Sequence, residues 1–396
     1  MTNIVVIHKV FHSQFEHLSL FLAKNPFLRV YLLIRNGQKG ACGRLQIRPY
    51  CPEKTESPLP LEEETSEGLA VVQALKNLRE EEGFVPDIIL GTCGWGAMLF
   101  VKDLYPHARA IGYFEWFFHV HEPDAACRAK TIVSEQEIYR RRLRNASVLL
   151  QLDACDIRYT PMEWQKSQFP GEYRDSMRVI HEGINTDFFV PDTETKCKLP
   201  NLDLSGAREI VTYGTRGMEP YRGFPVFMDA VRIIQKRRLH CEVVIAGNDR
   251  TYYGTPAPEG KTWKQIELEK GGLDLSRLHF VGWLSREEER MMLRASSVHV
   301  YLTQPFVLSW SMLEAMSTGC CLVSSATPPV QEVVRDHDNG LLADLWNAEE
   351  IADRIEEALD DASLRRSLGQ AARNTILKRY NLYSCLQKQM DMIFGL

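Results

Sequence analysis

The feature that most constrains this chain is a pattern that runs twice. Short apolar segments of strand length alternate with longer segments of helical spacing, stop at a polar, proline-containing stretch, and then begin again. Alternation of this kind implies parallel sheets covered by helices on both faces. In the first run NIVVIH (3–8) reads as a buried strand, QFEHLSLFLAKN (14–25) as a helix, and residues 27–35 as a second strand. A proline-rich loop over 49–64 precedes a predicted helix over 66–82, and PDIILGT (86–92), the glycine-rich turn CGWGA (93–97) and RAIGYFE (109–115) follow. A long helix over 125–145, a strand SVLLQLD (147–153) and the segment MRVIHEGI (177–184) complete the run.

The pattern breaks at NTDFFVPDTETKCKLPNLDLSG (185–206), which is rich in acids and turn formers and has no periodicity. It restarts with EIVTYG (209–214), a helix over 223–237, CEVVIAG (241–247), LHFVGW (278–283), a helix over 286–296, VHVYLT (298–303), CCLVSS (320–325) and helices from 348 onward. A chain of 396 residues exceeds the usual size of one hydrophobic core. The expected organisation is therefore an α/β domain over 1–185, a linker over 186–206, a second α/β domain over 207–380, and a last helix over 381–396 that packs back on the first domain. Two doubly wound Rossmann-like domains of this type bind ligands outside the carboxyl ends of their strands, and here would face one another across a cleft.

Composition removes several function classes. The formal net charge of -5 gives no global attraction to nucleic acid, so any anion site must be local. The ten cysteines show no CxxC and no zinc spacing, which fits reduced, mostly buried thiols. The start of the chain, MTNIVVIHKVF, lacks the long apolar region and cleavage site of a secretion signal, and the expectation is a cytoplasmic protein. GTCGWG is neither the dinucleotide fingerprint nor a P-loop. DHD (336–338) sits in a DHDNGLL turn, where Asp and Asn serve the backbone, and His119-x-His121 fits no common zinc pattern.

Six segments in order carry a family resemblance: VIHEGINTDFFVPD (179–192), YGTRGMEPYRGF (213–224), VVIAGND (243–249), HFVGWLSREE (279–288), SMLEAMSTGCCLVSS (311–325) and TPPVQEVVRDHDNGLLAD (327–344). Together they resemble the nucleotide-binding domain of retaining GT-B glycosyltransferases of family 4, over roughly residues 179–379; the first half matches in layout only. The resemblance implies a nucleoside diphosphate sugar as donor, a saccharide or lipid-linked saccharide as acceptor, and no metal or other cofactor. It places Glu314 on the ribose hydroxyls, and a carboxylate can accept both hydroxyls of a cis-diol. A carboxylate near a helix start is equally explained by the helix dipole alone.

The resemblance further implies that Arg216 and Arg222, the latter where the family more often has Lys, clamp the diphosphate. Backbone amides at Ser309 and Trp310 meet phosphate at a helix start, and Gly282 lies by the nucleotide. One position departs from the family: the first acid of its E-x7-E pattern, which contacts donor-sugar hydroxyls, is Phe306 here. In the first half Glu115, at the end of a strand, is a candidate for acceptor or donor hydroxyls and reads equally as a paired structural acid. Ser13 and Gln14 stand where the family has a glycine-rich loop. The run YRRRLRN (139–145) suits contact with anionic head groups at a membrane surface, although a solvated helix face explains it more simply. A sugar-nucleotide epimerase and a noncatalytic nucleotide-sugar-binding subunit are the alternative functions.

Overall fold

A computed structural model of the chain describes residues 1–55, 57, 59–119, 135–192 and 194–395. The chain divides into two compact units, residues 1–182 with 383–396, and residues 183–382.

The first unit is built on an eight-stranded sheet. Its strands are β1 (Thr2–His8), β2 (Leu28–Arg35), β3 (Gly40–Cys42), β4 (Leu45–Tyr50), β5 (Ile88–Cys93), β6 (Arg109–Phe114), β7 (Ile157–Thr160) and β8 (Arg178–Val179), in the order β3-β4-β2-β1-β5-β6-β7-β8. Every neighbouring pair is parallel except the β3–β4 hairpin at the edge. The central strands are buried on both faces, which is why Ile4, Val5, Val6 and Ile7 form an unbroken apolar run.

The second unit carries a small hairpin, β9 (Lys198–Leu199) and β10 (Leu202–Asp203), and a six-stranded parallel sheet. The sheet strands are β11 (Glu209–Gly217), β12 (Cys241–Asn248), β13 (Leu278–Gly282), β14 (Val298–Tyr301), β15 (Leu322–Ser325) and β16 (Leu341–Ala343), in the order β13-β12-β11-β14-β15-β16. Its core packs Val211, Tyr213, Val243, Ile245, Val298 and Val300 against Phe224, Phe227, Val231 and Ile234 of the helix Phe224–Arg237. In both units β–α alternation gives the doubly wound α/β class that the sequence pattern implies.

Three expectations are corrected. Residues 147–153 are not a strand; they belong to a helix, Glu135–Ala154. Its buried positions Asn145, Ser147, Val148, Gln151 and Leu152 repeat at three and four residues, the spacing of one helical face, while Leu150 is exposed. The strand of this region is β7, and the part of the expected helix over 125–134 lies outside the described residues. The helix expected from 66 begins at Pro60, whose missing N–H costs nothing in a first turn. Residues 186–206 are not a free linker: they belong to the second unit, where the Phe189 carbonyl accepts Ser317 Oγ at 2.7 Å and Arg373 Nη1 at 3.0 Å.

Candidate functional site

In the second unit the loops after β11, β12, β13 and β14 all leave the same carboxyl edge of the parallel sheet. The end of β11 and the loops after β11, β12 and β14 bring Arg216, Glu219, Arg222, Tyr252, Tyr253, Phe306 and the approach to the helix Trp310–Ser317 together. Arg216 ends β11 and is exposed; its guanidinium lies 4.4 Å from the Tyr252 ring centre, and its Nη1 donates to the Tyr253 hydroxyl at 3.4 Å. Arg222 is buried instead. Its Nη1 donates to the Tyr301 hydroxyl at 3.2 Å, Thr303 Oγ1 at 2.8 Å and the Val307 carbonyl at 3.2 Å. Its charge therefore sits beneath the 302–309 loop and fixes that loop's shape.

The same loop is tied to its neighbours. The Thr303 amide donates to Ser325 Oγ at 3.0 Å and the Gln304 amide to the Tyr221 carbonyl at 2.9 Å. Ser309 is the N-cap of the helix Trp310–Ser317, its Oγ accepting from the Ser311 amide at 3.3 Å. The Ser309 amide, expected to meet phosphate, donates to the Tyr301 hydroxyl at 2.9 Å, so in this structure it serves the loop. Trp310 opens the helix, whose positive dipole end faces this edge.

Phe306 is ringed by aromatic neighbours. Its centroid is 5.2 Å from that of Tyr221 and 5.1 Å from that of Tyr253, and those two lie 6.1 Å apart. The Arg222 guanidinium is 5.4 Å from the Tyr253 ring centre and 5.7 Å from that of Phe306. The tyrosine loop is held from below by Glu219, one of whose oxygens accepts the Tyr252 amide at 2.5 Å and the Tyr253 amide at 2.9 Å. Burial pushes the Glu219 carboxyl up, against those two amides and the nearby arginines. Gly217 is required here, since a Cβ would come within 2.5 Å of the Arg250 carbonyl.

Glu314 is buried inside the helix Trp310–Ser317, and Arg286 pairs with it bidentately, Nη2 to Oε1 at 2.6 Å and Nη1 to Oε2 at 3.1 Å. Arg286 also reaches Glu289 at 3.0 Å and lies over the Phe189 ring. Half of the Arg286 side chain is exposed, whereas the Glu314 side chain is buried. Burial and the adjacent Glu314 charge raise the Glu289 carboxyl to about 7. Gly282 ends β13 at φ 71° with open space where a Cβ would be, followed by the exposed Trp283.

The first unit presents its own carboxyl edge. Glu115 follows β6; its Oε1 accepts Gln14 Nε2 at 3.2 Å, and its carbonyl accepts Gln165 Nε2 at 2.7 Å. Lys9, after β1, lies 4.4 Å from the ring centre of Trp95, after β5, and burial lowers its pKa. Ser13 is buried and His8 is held neutral, its pKa lowered to about 4 by burial. His119 is a packed histidine, its Nε2 2.8 Å from the Gln168 carbonyl; His121 lies outside the described residues. Within the basic run Arg141 pairs with Glu137 at 3.0 Å and Arg144 stacks on Phe118, while Tyr139, Arg140 and Arg142 are exposed. Among the described residues no helix is long and apolar enough to cross a membrane.

Sequence reasoning singled out Arg216, Arg222, Glu314 and Glu115 as candidates and passed over Glu219, Tyr252, Tyr253, Arg286 and Tyr301, which the structure places around them. The adjacent tyrosines in the polar stretch NDRTYYGTP were the visible signal. Two family models match in tandem: the Glycosyl transferase family 4 group over residues 48–189, and Glycosyl transferases group 1 over residues 205–375. The chain belongs to the group 1, family 4 glycosyltransferases.

Curated relatives of this glycosyltransferase include the lipopolysaccharide core biosynthesis glycosyltransferase LpsE of Rhizobium meliloti, 25% identical over 45% of this chain and 52% of that one. Another is the alpha-D-kanosaminyltransferase of Streptomyces kanamyceticus, 25% identical over 61% of this chain and 59% of that one. The chain thus spans about half the length of such relatives. Among solved structures, sucrose-phosphate synthase from Thermosynechococcus elongatus superposes at a TM-score of 0.75 with 15% identity, covering 100% of this chain and 99% of that one. Anabaena HepE in complex with UDP-glucose superposes at 0.72 with 15% identity over 100% of both chains. These likenesses establish the GT-B type of fold.

Proposed function

We propose that the protein transfers a sugar from a nucleoside diphosphate sugar to a hydroxyl acceptor, with retention of anomeric configuration, in glycolipid or polysaccharide biosynthesis. The observation that carries this reading is the second unit's carboxyl edge, from which the segments bearing Arg216 and Arg222 and the helix Trp310–Ser317, with the buried carboxylate of Glu314, all depart. HepE, bound to UDP-glucose on the same fold, and LpsE, named for lipopolysaccharide core synthesis, support it.

As the bond from the sugar to phosphate lengthens, positive charge grows on the sugar ring and negative charge on the departing diphosphate. Arg216, which is exposed, meets that diphosphate directly, and Arg222 adds its field from beneath the loop. The departing phosphate takes the acceptor proton on the face it leaves, so the new bond forms there and configuration is kept. Glu314 takes the ribose diol once Arg286 swings outward. Gln14 and Glu115 in the first unit are assigned to acceptor hydroxyls. The leaving charge is met by the chain's own guanidinium groups, so the proposed reaction uses no metal. In the DHD turn, Asp336 is occupied by the Leu342 amide at 2.8 Å and by His337 at 3.0 Å.

Thermal unfolding with UDP, GDP, dTDP and ADP tests the donor site. A nucleotide at about 100 times its dissociation constant should stabilise the wild type by roughly 2.7 kcal/mol. Arg216→Ala should lose most of that shift while folding normally. If none of the four raises the melting temperature, the donor-site reading is wrong. With the nucleotide chosen, transfer of its sugar to a hydroxyl acceptor, followed by NMR of the anomeric proton, decides retention; conversion of the sugar with no acceptor present would instead identify an epimerase.

A further inference from the structure

We propose that Tyr252 and Tyr253, carried on the buried carboxylate of Glu219, are positioning residues for Arg216: they hold its guanidinium at the carboxyl edge in the pose that meets the donor diphosphate. This rests on the donor-site reading above and adds the residues on which that site's exposed cation depends.

Arg216 is exposed near the end of β11, where an arginine side chain has many rotamers open to it. A ligand that binds such a side chain must stop its motion, and that cost weakens binding unless the protein has already met it. Here the guanidinium is already held. Its centre lies 4.4 Å from the Tyr252 ring centre, and its Nη1 donates to the Tyr253 hydroxyl at 3.4 Å. Its partners among the described residues are therefore a ring and a hydroxyl rather than a carboxylate, so its charge is not cancelled. A cation over a ring is held without using up its N–H groups, which leaves the guanidinium fork for a phosphate.

The two tyrosines are themselves fixed. They are consecutive in the loop after β12, and one oxygen of Glu219 accepts both of their amides, at 2.5 Å and 2.9 Å. Glu219 is three residues after Arg216 in the chain, so the same short segment carries the cation and the support of the loop that grips it. Burying a carboxylate is costly. The two amides and the nearby Arg222 and Arg216 charges offset that cost, which ties Glu219 to both cations. The Tyr252 hydroxyl accepts Asn248 Nδ2 at 3.0 Å, pinning the far end of its ring to the end of β12. Gly217 makes the room: a Cβ there would come within 2.8 Å of Tyr252 Cδ2. The Tyr253 ring is flanked by Tyr221 and Phe306, with ring centres 6.1 and 5.1 Å away. Side chains locked by supports of this kind hold a binding group in place better than mobile ones do. Tyr252 itself stays 38% exposed, so its ring can be removed with little loss to the core.

A double-mutant cycle on nucleotide binding tests the assignment, by calorimetry on the full chain with whichever of UDP, GDP, dTDP and ADP binds the wild type. Tyr252→Ala should weaken that binding about 5 to 30 times, the range of a partly desolvated contact between a cation and a ring, with the melting temperature of the free protein unchanged. Tyr252→Phe, which keeps the ring, should stay within about threefold of the wild type. In an Arg216→Ala background, Tyr252→Ala should change the affinity less than about twofold, because the group it positions is gone. Glu219→Ala should repeat the pattern, large with Arg216 present and small without it; if that variant does not fold, the Tyr252 cycle decides alone. Equal losses in both backgrounds would mean that the tyrosine loop fills space or touches the nucleotide itself, and would overturn the proposal. Wild-type affinity in Tyr252→Ala overturns it too. In both cases an Arg216→Ala variant that binds weakly leaves the donor site standing. If Arg216→Ala binds as the wild type does, or if no nucleoside diphosphate binds at all, the donor-site reading falls and this inference falls with it.

Discussion

Glu314 was singled out in the sequence through the family resemblance of its segment, with the helix dipole as the plainer alternative. Its partner was not, because Arg286 lies 28 residues earlier and only the fold brings the two together. That pairing places Glu289 under strain of charge: one guanidinium serves two carboxylates, and burial together with Glu314 raises the Glu289 pKa from an ordinary 4.5 to about 7. The sign follows directly. Between those values the folded state keeps a proton that the unfolded state gives up, so stability falls as pH rises from 4.5 to 7; below the window neither state is penalised, and above it the full penalty applies. Glu289→Gln, whose amide oxygen still accepts from Arg286, should match the wild type at pH 4 and exceed it at pH 8 by about 1 to 3 kcal/mol. Chemical unfolding at the two pH values checks this, and wild-type and variant stabilities that differ equally at both would refute it.

At the scale of elements, the alternation of strands and helices was readable in the sequence, and so were β1, β5, β6, β11, β12 and the helix Phe224–Arg237. The misreading of 147–153 has a plain cause: a short apolar run has no period long enough to separate a strand from the end of a helix. The β3–β4 hairpin was also missed, since Gly40–Cys42 is a three-residue exposed edge strand with no apolar signal. Helix contacts are still less visible. Gly369, within the helix Ala362–Arg379, lets the backbone after the helix Trp310–Ser317 come so close that a Cβ would sit 2.2 Å from the Gly319 carbonyl. Alanine at a helix interior gains up to about 1 kcal/mol in propensity. Forcing two packed backbones apart costs about 1 to 3 kcal/mol, so the clash wins. Gly369→Ala should lower the melting temperature and, by shifting the helix that holds Glu314, weaken nucleotide binding. Gly206→Ala, where nothing lies within 4 Å of the added carbon, is the control that should leave both unchanged.

For the whole molecule, two repeats of one architecture could be counted from the sequence, but strand order could not, because apolar strands buried on both faces do not announce their neighbours. The path of the chain between its units likewise emerges only in three dimensions. After residue 382 the chain rejoins the first unit. There Leu386, Met392 and Ile393 are buried, Arg109 Nη1 donates to the Ile393 carbonyl at 2.9 Å, and Gln389 Nε2 reaches the His181 carbonyl at 3.3 Å. Three buried side chains of this size contribute on the order of 5 kcal/mol of hydrophobic stabilisation. Removal of residues 383–396 takes that from the first unit and leaves residues 183–382 intact. Calorimetry of the truncated chain should therefore resolve two transitions: one moved to lower temperature, and one that stays in place and still responds to the nucleotide that stabilises the full chain. A single transition shifted as a whole would mean that the two units unfold as one cooperative body, with the last helix supporting both.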